Sequence, residues 1–339
     1  MKKIAATILA AIALSSCGNG KKFMPTVTGS TFDMVVVGDK QVWDDTTGQR
    51  LNEMLTDAVP GLPEIEDNFK VIYIQPSMFD NVLKPARNIL FYDINPEKYT
   101  KGSIVYEMDK WATIQAVATI NAPDNETFVN TLKQHRQEIM RYFNAAEEKR
   151  AVSFYHSYQN HEFIMNLKDK FGIEMLVPAN ITKKKEVDGF VWMSNGNPDM
   201  MENIVVYSQP YTSEDQFLAS HILSVQDSLT KKHIPGSVDG SYMRHEGRVE
   251  PACEFIKTDY SEYCIEVKGL WCTEGDDMGG PYVSRNYLSP DHKRIVTAMA
   301  FLYGPGHDKR NKMSMLEGAL GTLKFADTEE SKATGEAEK

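Results

Sequence analysis

Along most of this chain, short apolar runs that end at Pro or Gly alternate with stretches whose apolar residues recur every three or four positions. The short runs are typical of β-strands, and the 3–4 spacing is typical of amphipathic helices. The longest helix is predicted over residues 124–149, with Asp124 as its N-cap and Phe128, Leu132 and Ile139 on one face. The sequence therefore predicts an α+β fold, with mainly antiparallel sheets and helices packed on one face.

The chain has 339 residues, which is more than one hydrophobic core usually serves. A strand, a proline, a helix cap and a long helix follow one another twice, before residue 124 and before residue 213. We therefore expect two related α+β units, residues 32–172 and residues 173–325, and whether they are a duplication stays open. Residues 326–339 are rich in Glu, Lys, Ala and Thr and contain no aromatic residue, which predicts a disordered tail.

The N-terminus has the pattern of a secretory signal. Lys2 and Lys3 precede an apolar run over residues 4–14, which is shorter than the roughly 20 residues that span a bilayer. The closing Leu-Ser-Ser-Cys resembles the lipobox of bacterial lipoproteins, in which the cysteine thiol is diacylated and becomes the new N-terminus. Residues 1–16 are therefore predicted to be a signal peptide and Cys17 the lipid acceptor. The alternative is an ordinary secretory signal followed by a chance cysteine.

Charge excludes two classes of partner. The chain carries 37 Lys+Arg against 47 Asp+Glu, a formal net charge of −10. This balance argues against nucleic-acid binding, which relies on clustered Lys and Arg, and against a polybasic membrane patch. Membrane attachment is therefore expected through the lipid on Cys17, with residues 17–31 as a flexible tether.

Three further cysteines are candidates for a disulfide, because an exported protein meets an oxidising compartment. Cys253 and Cys264 flank a turn at residues 257–260. If that turn is a four-residue hairpin loop, the two cysteines face each other and can pair. The alternatives are a pair of Cys264 with Cys272, or three buried thiols.

No catalytic, cofactor or metal site is assigned from motifs. The chain lacks Gly-x-Ser-x-Gly, the P-loop, Cys-x-x-Cys and His-Glu-x-x-His. His156 and His161, beside Glu162, are five positions apart, which does not place them on one helical face. The acidic, glycine-rich residues 274–280 are predicted to be a tight connection rather than a calcium loop. Residues 303–310 are predicted to be a capped turn into a helix, with Asp308 as the cap, rather than an anion site.

Several short motifs carry a family resemblance. In chain order they are residues 35–39 with Trp43 shortly after, 60–63, 87–90, 278–282 and 316–325. Together with the lipobox, they resemble a family of Bacteroidetes lipoproteins catalogued as the domain of unknown function number 4837. The resemblance implies a lipid-anchored envelope protein and carries no activity or cofactor. Lipoproteins of this lineage bound for the cell surface usually have acidic residues after the cysteine. Residues 18–22 have none, which favours an outer-membrane protein that faces the periplasm.

The expected function is a non-enzymatic periplasmic module that binds a ligand or an envelope protein. The segment at Arg87 and Asn88 and the turn at Gly279 and Gly280 are the predicted interaction residues. The alternative is an envelope hydrolase with an unfamiliar active site. A hydrolase predicts a pocket in which carboxylates or histidines converge, whereas a binding module predicts an exposed apolar patch.

Overall fold

The computed structural model describes residues 24–258, 261 and 263–326. Cys17, the predicted signal peptide, residues 17–23 of the predicted tether and residues 327–339 of the predicted tail lie outside the described residues. Among the helices of the described part, none combines the length and the apolar character that crossing a bilayer requires.

The first half of the chain forms a five-stranded sheet with three helices. Its elements are β1 (Asp33–Val37), α1 (Lys40–Asp44), α2 (Thr46–Leu55), β2 (Lys70–Ile74), β3 (Asn88–Ile94), β4 (Ser103–Met108), β5 (Ala116–Ala122) and α3 (Asn125–Ser157). The strand order is β2-β1-β3-β5-β4, in which β4 alone runs antiparallel to its neighbour. The sheet is therefore largely parallel, unlike the mainly antiparallel arrangement expected for both units.

Helices α2 and α3 cover one face of this sheet, as predicted. Leu51 and Leu55 of α2 and Phe128, Leu132 and Phe143 of α3 pack there against the strands. Helix α3 extends eight residues beyond the predicted end. Its buried stripe continues through residues 146, 151 and 155, so packing sustains the helix.

The opposite face of the first sheet is covered by the connection between β2 and β3, whose described residues form a short 3-10 helix (Pro76–Met78) but no α-helix. Val35, Ile89 and Val117 on this face pack against Phe79, from the connection between β2 and β3, and against Trp111. Among the described residues of this cluster none belongs to an α-helix. We call it the helix-free face.

The second half is built on an eight-stranded antiparallel sheet. Its elements are α4 (His161–Phe171), β6 (Ile173–Glu174), β7 (Lys183–Val187), β8 (Phe190–Ser194), β9 (Met201–Pro210), α5 (Ala219–His233), β10 (Tyr242–His245), β11 (Ala252–Ile256), β12 (Cys264–Glu274), β13 (Gly279–Leu288), β14 (Arg294–Tyr303), α6 (Arg310–Gly321) and β15 (Lys324–Phe325). The order is β10-β12-β13-β14-β9-β8-β7, and β11 also pairs with β12. Strands β6 and β15 form a separate small ladder.

This second sheet carries helices on both faces, which corrects the prediction of a single helical layer. Helices α4 and α6 pack on the inner face through residues such as Leu167 and Leu316. Helix α5 packs on the outer face, where Ile222 meets Trp271 and Phe301. The central strands β13 and β14 are buried at eight consecutive positions each, which requires cover on both sides.

The α+β class is confirmed. The two halves share the outline of a strand followed by a helix, but their strand orders differ. β5 runs parallel to β3 before α3, whereas β9 runs antiparallel to both of its neighbours before α5. The similarity in the sequence therefore does not extend to the topology of the sheets.

The two halves share an interface built around α3 and α6. Gly318 lies so close to α3 that an added Cβ would be 3.2 Å from that of Ala151. Tyr155 and Ala319 are buried in one apolar cluster. The guanidinium of Arg310 lies 3.6 Å from the centre of the Phe32 ring. Both halves therefore contribute to one small apolar cluster at their contact.

The predicted disulfide between Cys253 and Cys264 is wrong. Strands β11 and β12 pair in a register that puts Cys253 opposite Val267 and Cys264 opposite Ile256. The connection between the strands is longer than the assumed four-residue loop, so the register is shifted and the cysteines do not meet. Cys272 lies eight positions after Cys264 on the same strand, roughly 27 Å away at the rise of a strand. All three cysteines of the described part are free, and Cys253 is exposed.

Candidate functional site

A pocket lies where the inner face of the large sheet extends past α6. On this face Lys268 of β12 donates to Glu317 of α6 over 2.8 Å. Further along the strand, Leu270 and Cys272 line a pocket of about 620 Å³. Pro63, from the loop between α2 and β2, lines the other side. We call it the inter-unit pocket, since both halves of the chain contribute to it.

The predicted interaction residues Gly279 and Gly280 line this pocket. They also let β13 pack closely. A Cβ added to Gly280 would lie 2.1 Å from the backbone oxygen of Leu302, and one added to Gly279 would lie 3.0 Å from that of Trp271. Trp271 donates its indole N–H to the same Leu302 oxygen over 3.0 Å. The two glycines therefore shape the pocket wall, and their role in binding stays a prediction.

The charged groups of the pocket are engaged with one another. Arg244 donates Nε to Glu274 over 3.0 Å, and Arg248 donates Nε and Nη2 to Glu246 over 2.9 and 2.7 Å. The hydrogen bond from Arg248 lowers the pKa of Glu246 to about 2. The hydroxyl and N–H groups of Ser237 donate to Asp276 and lower its pKa. These two carboxylates are therefore ionised at neutral pH and already accept hydrogen bonds.

The thiol of Cys272 is not activated. Burial raises its pKa, so the protonated form dominates at neutral pH. The nearest acid–base pair is His245 with Asp227, whose Nδ1 and Oδ2 lie 2.5 Å apart. In the ladder Cys272 stands opposite Arg244, while His245 stands opposite Trp271. Because neighbouring residues of a strand point to opposite faces, the thiol and the imidazole lie on different sides of the sheet.

Cys253 does not complete a catalytic pair either. Cys253 stands opposite Val267 of β12, and His245 stands opposite Trp271 of the same strand. Val267 and Trp271 are four positions apart and face the outer side of the sheet, so Cys253 and His245 share that face. That offset corresponds to roughly 13 Å along a strand, beyond hydrogen-bond reach. The His245–Asp227 pair therefore lacks a neighbouring cysteine nucleophile.

The other motifs noted in the sequence have structural roles. Residues 274–280 form a tight connection between β12 and β13, in which Gly275 has a φ of +81°. His156 lies in α3 and His161 begins α4. In the described part of the chain, no group of three or more His, Cys, Asp or Glu residues is placed to hold a metal ion.

The loop that carries Pro63 is attached to the N-terminus of α6. Glu66 accepts hydrogen bonds from the backbone N–H groups of Lys309 and Arg310 over 2.8 and 3.0 Å. Glu64 pairs with the buried ammonium of Lys309 over 2.7 Å. A carboxylate is favourable at a helix N-terminus, where N–H groups lack partners. The predicted capped turn is present, but the N-cap is Lys309 rather than Asp308, and Glu66 of the other half supplies the carboxylate.

We expect Glu66→Ala to loosen this wall of the pocket. Losing a helix-capping carboxylate typically lowers the free energy of unfolding by about 1–2 kcal/mol. Urea unfolding measures that loss, and hydrogen exchange should become faster in residues 60–67. Glu53→Ala, on the exposed surface of α2, is the matched control. Unchanged exchange in residues 60–67 would show that the cap does not hold the loop.

Comparison with known proteins follows the division into two halves. Residues 159–322 match the domain of unknown function DUF4837. This match confirms the family number for the second half of the chain, and the assignment to Bacteroidetes lipoproteins stays a prediction. Residues 27–155 match a second domain of unknown function, DUF8532. The motifs at residues 35–39, 60–63 and 87–90 fall within that second match.

Comparison with characterised proteins adds little. None of the curated proteins matches the chain. A crystal structure of a protein from Bacteroides thetaiotaomicron VPI-5482 is similar over 45% of this chain and 45% of its own length, with 12% identity and a TM-score of 0.25.

The other predicted interaction residues, Arg87 and Asn88, lie inside the DUF8532 segment. The Asn88 side chain is fully buried, donating to Glu147 over 2.8 Å and accepting from Arg150 over 2.7 Å. Arg87 lies 3.4 Å from Glu147. Asn88, Glu147 and Arg150 bond one another beneath the surface, and the role of Arg87 and Asn88 in contacting a partner stays a prediction. We call Arg87, Asn88, Glu147 and Arg150 the amino-edge cluster, since β3 begins there.

The carboxyl edge of the DUF8532 sheet is also filled. Parallel sheets commonly bind ligands where neighbouring strands connect in opposite directions, here between β1 and β3. A Cβ added to Gly38 at that point would lie 2.2 Å from the Tyr92 ring. The Tyr92 hydroxyl donates to the backbone of Asp39 over 2.6 Å, and that of Tyr73 donates to Gly38 over 2.9 Å. Tyrosine side chains therefore occupy this crevice, which leaves the inter-unit pocket as the candidate site.

Proposed function

We propose that this protein is a lipid-anchored, non-enzymatic binding protein of the bacterial cell envelope, and that its inter-unit pocket receives a ligand or a partner protein. The observation that supports this proposal is the pairing and the protonation of the polar groups in that pocket. Arg244 and Arg248 are already paired, Glu246 has a lowered pKa and the thiol of Cys272 a raised one. A hydrolase needs a group ready to exchange a proton or attack near neutral pH. These groups suit recognition better than bond cleavage.

The lining also offers a mixed surface for binding. Leu270, Met278 and Pro63 provide apolar contacts beside the guanidinium groups of Arg244 and Arg248. Binding sites typically combine apolar walls with a few oriented polar groups. An arginine that is already held by a carboxylate keeps further N–H donors for a second acceptor.

The envelope location rests on the sequence. The signal pattern and Cys17 support attachment through lipid, and the lack of acidic residues after Cys17 supports an outer-membrane protein that faces the periplasm. The net charge of −10 supports a ligand other than nucleic acid.

An envelope hydrolase is the second candidate, and the His245–Asp227 pair favours it. Such a pair orients an imidazole for acid–base catalysis. If the purified protein hydrolysed ester, peptide or glycan substrates, and if His245→Asn abolished that activity, the hydrolase would replace the binding module.

Site-specific photo-crosslinking in intact cells tests the binding role. A benzophenone amino acid replaces Val249, which lines the pocket and is 44% exposed. The control replaces Met165, which is 54% exposed on α4, a helix that contacts β7 at the opposite edge of the large sheet from β10. We expect one adduct of constant mass from position 249 alone, and its loss when Arg244→Glu reverses the charge of the pocket wall. Adducts of equal yield from both positions would contradict the proposal. So would an adduct from position 249 whose yield does not change in Arg244→Glu.

A further inference from the structure

The helix-free face of the first sheet exposes apolar side chains. Met78 and Val82, in the connection between β2 and β3, are 64% and 76% exposed. Ile72 and Val105, on strands at the two edges of the sheet, are 38% and 49% exposed. Ile72 stands beside Val35 of this face, and Val105 stands beside Thr119, the neighbour of Phe91. Exposed apolar side chains that share one face often mark a site that binds a partner or a membrane.

The first described residues of the chain lie at the border of this face. Pro25 accepts a hydrogen bond from the N–H of Thr113 over 2.8 Å, and Thr28 donates to Pro85 over 2.8 Å. Residues 25–28, part of the predicted tether, are thus held between the Trp111 turn and the end of the loop that carries Met78 and Val82. Buried Gln115 joins the same two segments, donating to the backbone oxygens of Lys84 and Ala86.

The position of Met24 limits how far the folded part of the chain can lie from a lipid on Cys17. Seven peptide units separate Cys17 from Met24, and an extended chain covers at most about 3.5 Å per residue. A lipid on Cys17 would therefore hold Met24 within roughly 25 Å of the bilayer surface. The helix-free face meets this point of attachment at the Trp111 turn and at the end of the loop that carries Val82.

The chemistry of the face suits the interfacial layer of a bilayer. Trp111 packs against Phe79 with ring centres 5.9 Å apart, and the Lys110 ammonium lies 4.8 Å above its ring. Tryptophan and lysine are typical of membrane interfaces, where an apolar body meets polar headgroups. Asp80 accepts hydrogen bonds from the backbone N–H groups of Val82 and Leu83, so its carboxylate is engaged within the loop.

We propose that the helix-free face, at Met78, Val82 and Trp111, rests on the surface of the membrane to which Cys17 is anchored. The proposal depends on the proposed lipid attachment and adds an orientation to it. The Lys110 ammonium pairs with Glu107, and the Lys84 ammonium donates a hydrogen bond to the side chain of Asn81. The face therefore carries little free positive charge. Contact therefore arises from apolar burial, and it should not require anionic lipids.

Hydrogen exchange on the full acylated protein in phosphatidylcholine vesicles tests this orientation, with the Cys17→Ser protein beside vesicles as the reference. Mass spectrometry of the N-terminal peptide first establishes whether Cys17 carries acyl chains. We expect slower exchange in residues 76–84 of the acylated protein. Val82→Glu should reduce that protection about tenfold, since burying one such side chain is worth at least that factor in an equilibrium.

Val238→Glu is the matched control, because Val238 is 53% exposed in the second half of the chain. It should leave the protection of residues 76–84 unchanged. If Cys17 is acylated and residues 76–84 exchange as in the reference, the orientation is wrong while the anchor stands. If Cys17 carries no lipid, both proposals fall. Protection that appears only at high protein density would assign the face to a second copy of the chain and overturn the membrane contact.

Discussion

Glu147→Gln is expected to lower the free energy of unfolding by about 3–5 kcal/mol, the usual cost of removing one partner from a buried ion pair. The Glu147 side chain is 1% exposed and lies 2.8 Å from Arg150 and 3.4 Å from Arg87. It also accepts hydrogen bonds from Asn88 over 2.8 Å and from the backbone N–H of Phe32 over 3.1 Å. Glutamine keeps the shape of the side chain but leaves two buried guanidinium groups without their carboxylate.

Glu148→Gln is the matched control, because it makes the same change at the next position of α3. The Glu148 side chain is 46% exposed and lies 3.7 Å from Arg285, so its loss should cost less than about 1 kcal/mol. Urea unfolding followed by circular dichroism gives both free energies. Equal, small losses in the two variants would show that the amino-edge cluster does not stabilise the fold.

The same cluster supports the junction between the halves. Phe32, whose N–H binds Glu147, lies under the guanidinium of Arg310 at the start of α6. Burial lowers the pKa of Arg310 to about 10, which still leaves it charged at neutral pH. The carboxylates of Glu147 and Glu66 oppose that shift and favour the cation. We therefore infer that the start of α6, to which Glu66 attaches the loop carrying Pro63, depends on charges from the first half.

The features that were predictable from the sequence are those with local causes. Asp124, the N-cap predicted for the longest helix, caps α3 by accepting a hydrogen bond from the N–H of Thr127. Such a cap acts within a few residues of the helix end, so spacing alone reveals it. The alternation of strands and helices was sufficient for the α+β class for the same reason.

The features that were missed depend on distant partners or on loop length. Glu66 caps a helix that begins 244 positions later, and nothing near Lys309 in the sequence indicates that contact. The register of Cys253 and Cys264 depends on the length of one loop, and each added residue shifts every pair. The sheet of the first half is largely parallel because its strands are joined by crossovers, which apolar patterns do not specify.

The candidate site was half predictable. Gly279 and Gly280 mark it, because adjacent glycines after an acidic turn indicate close approach of the backbone. The opposite wall at Pro63 comes from a motif that was recognised separately, with no signal that joined the two. Arg87 and Asn88 look like surface residues by type, and only the fold shows that Glu147 and Arg150 enclose them.

Gly280→Ala is expected to destabilise the protein by about 1–3 kcal/mol, as overpacking of a well-packed interior does. The new methyl group would lie 2.1 Å from the backbone oxygen of Leu302 and 3.2 Å from the indole nitrogen of Trp271. Because a backbone atom cannot turn aside as a side chain can, β13 must move away from β14. That movement weakens the hydrogen bond from Trp271 to Leu302 and displaces the wall of the inter-unit pocket.

Gly247→Ala is the matched control, because it also replaces a glycine of the pocket but its added Cβ meets no atom within 4 Å. It therefore measures the effect of losing a glycine without the effect of overpacking. Thermal and urea unfolding should show a loss for Gly280→Ala and nearly none for Gly247→Ala. The crosslink from position 249 should weaken in Gly280→Ala even at temperatures where the variant is fully folded. If Gly280→Ala keeps both its stability and its crosslink, β13 and β14 have room to separate, and the tight packing at this wall does not control the pocket.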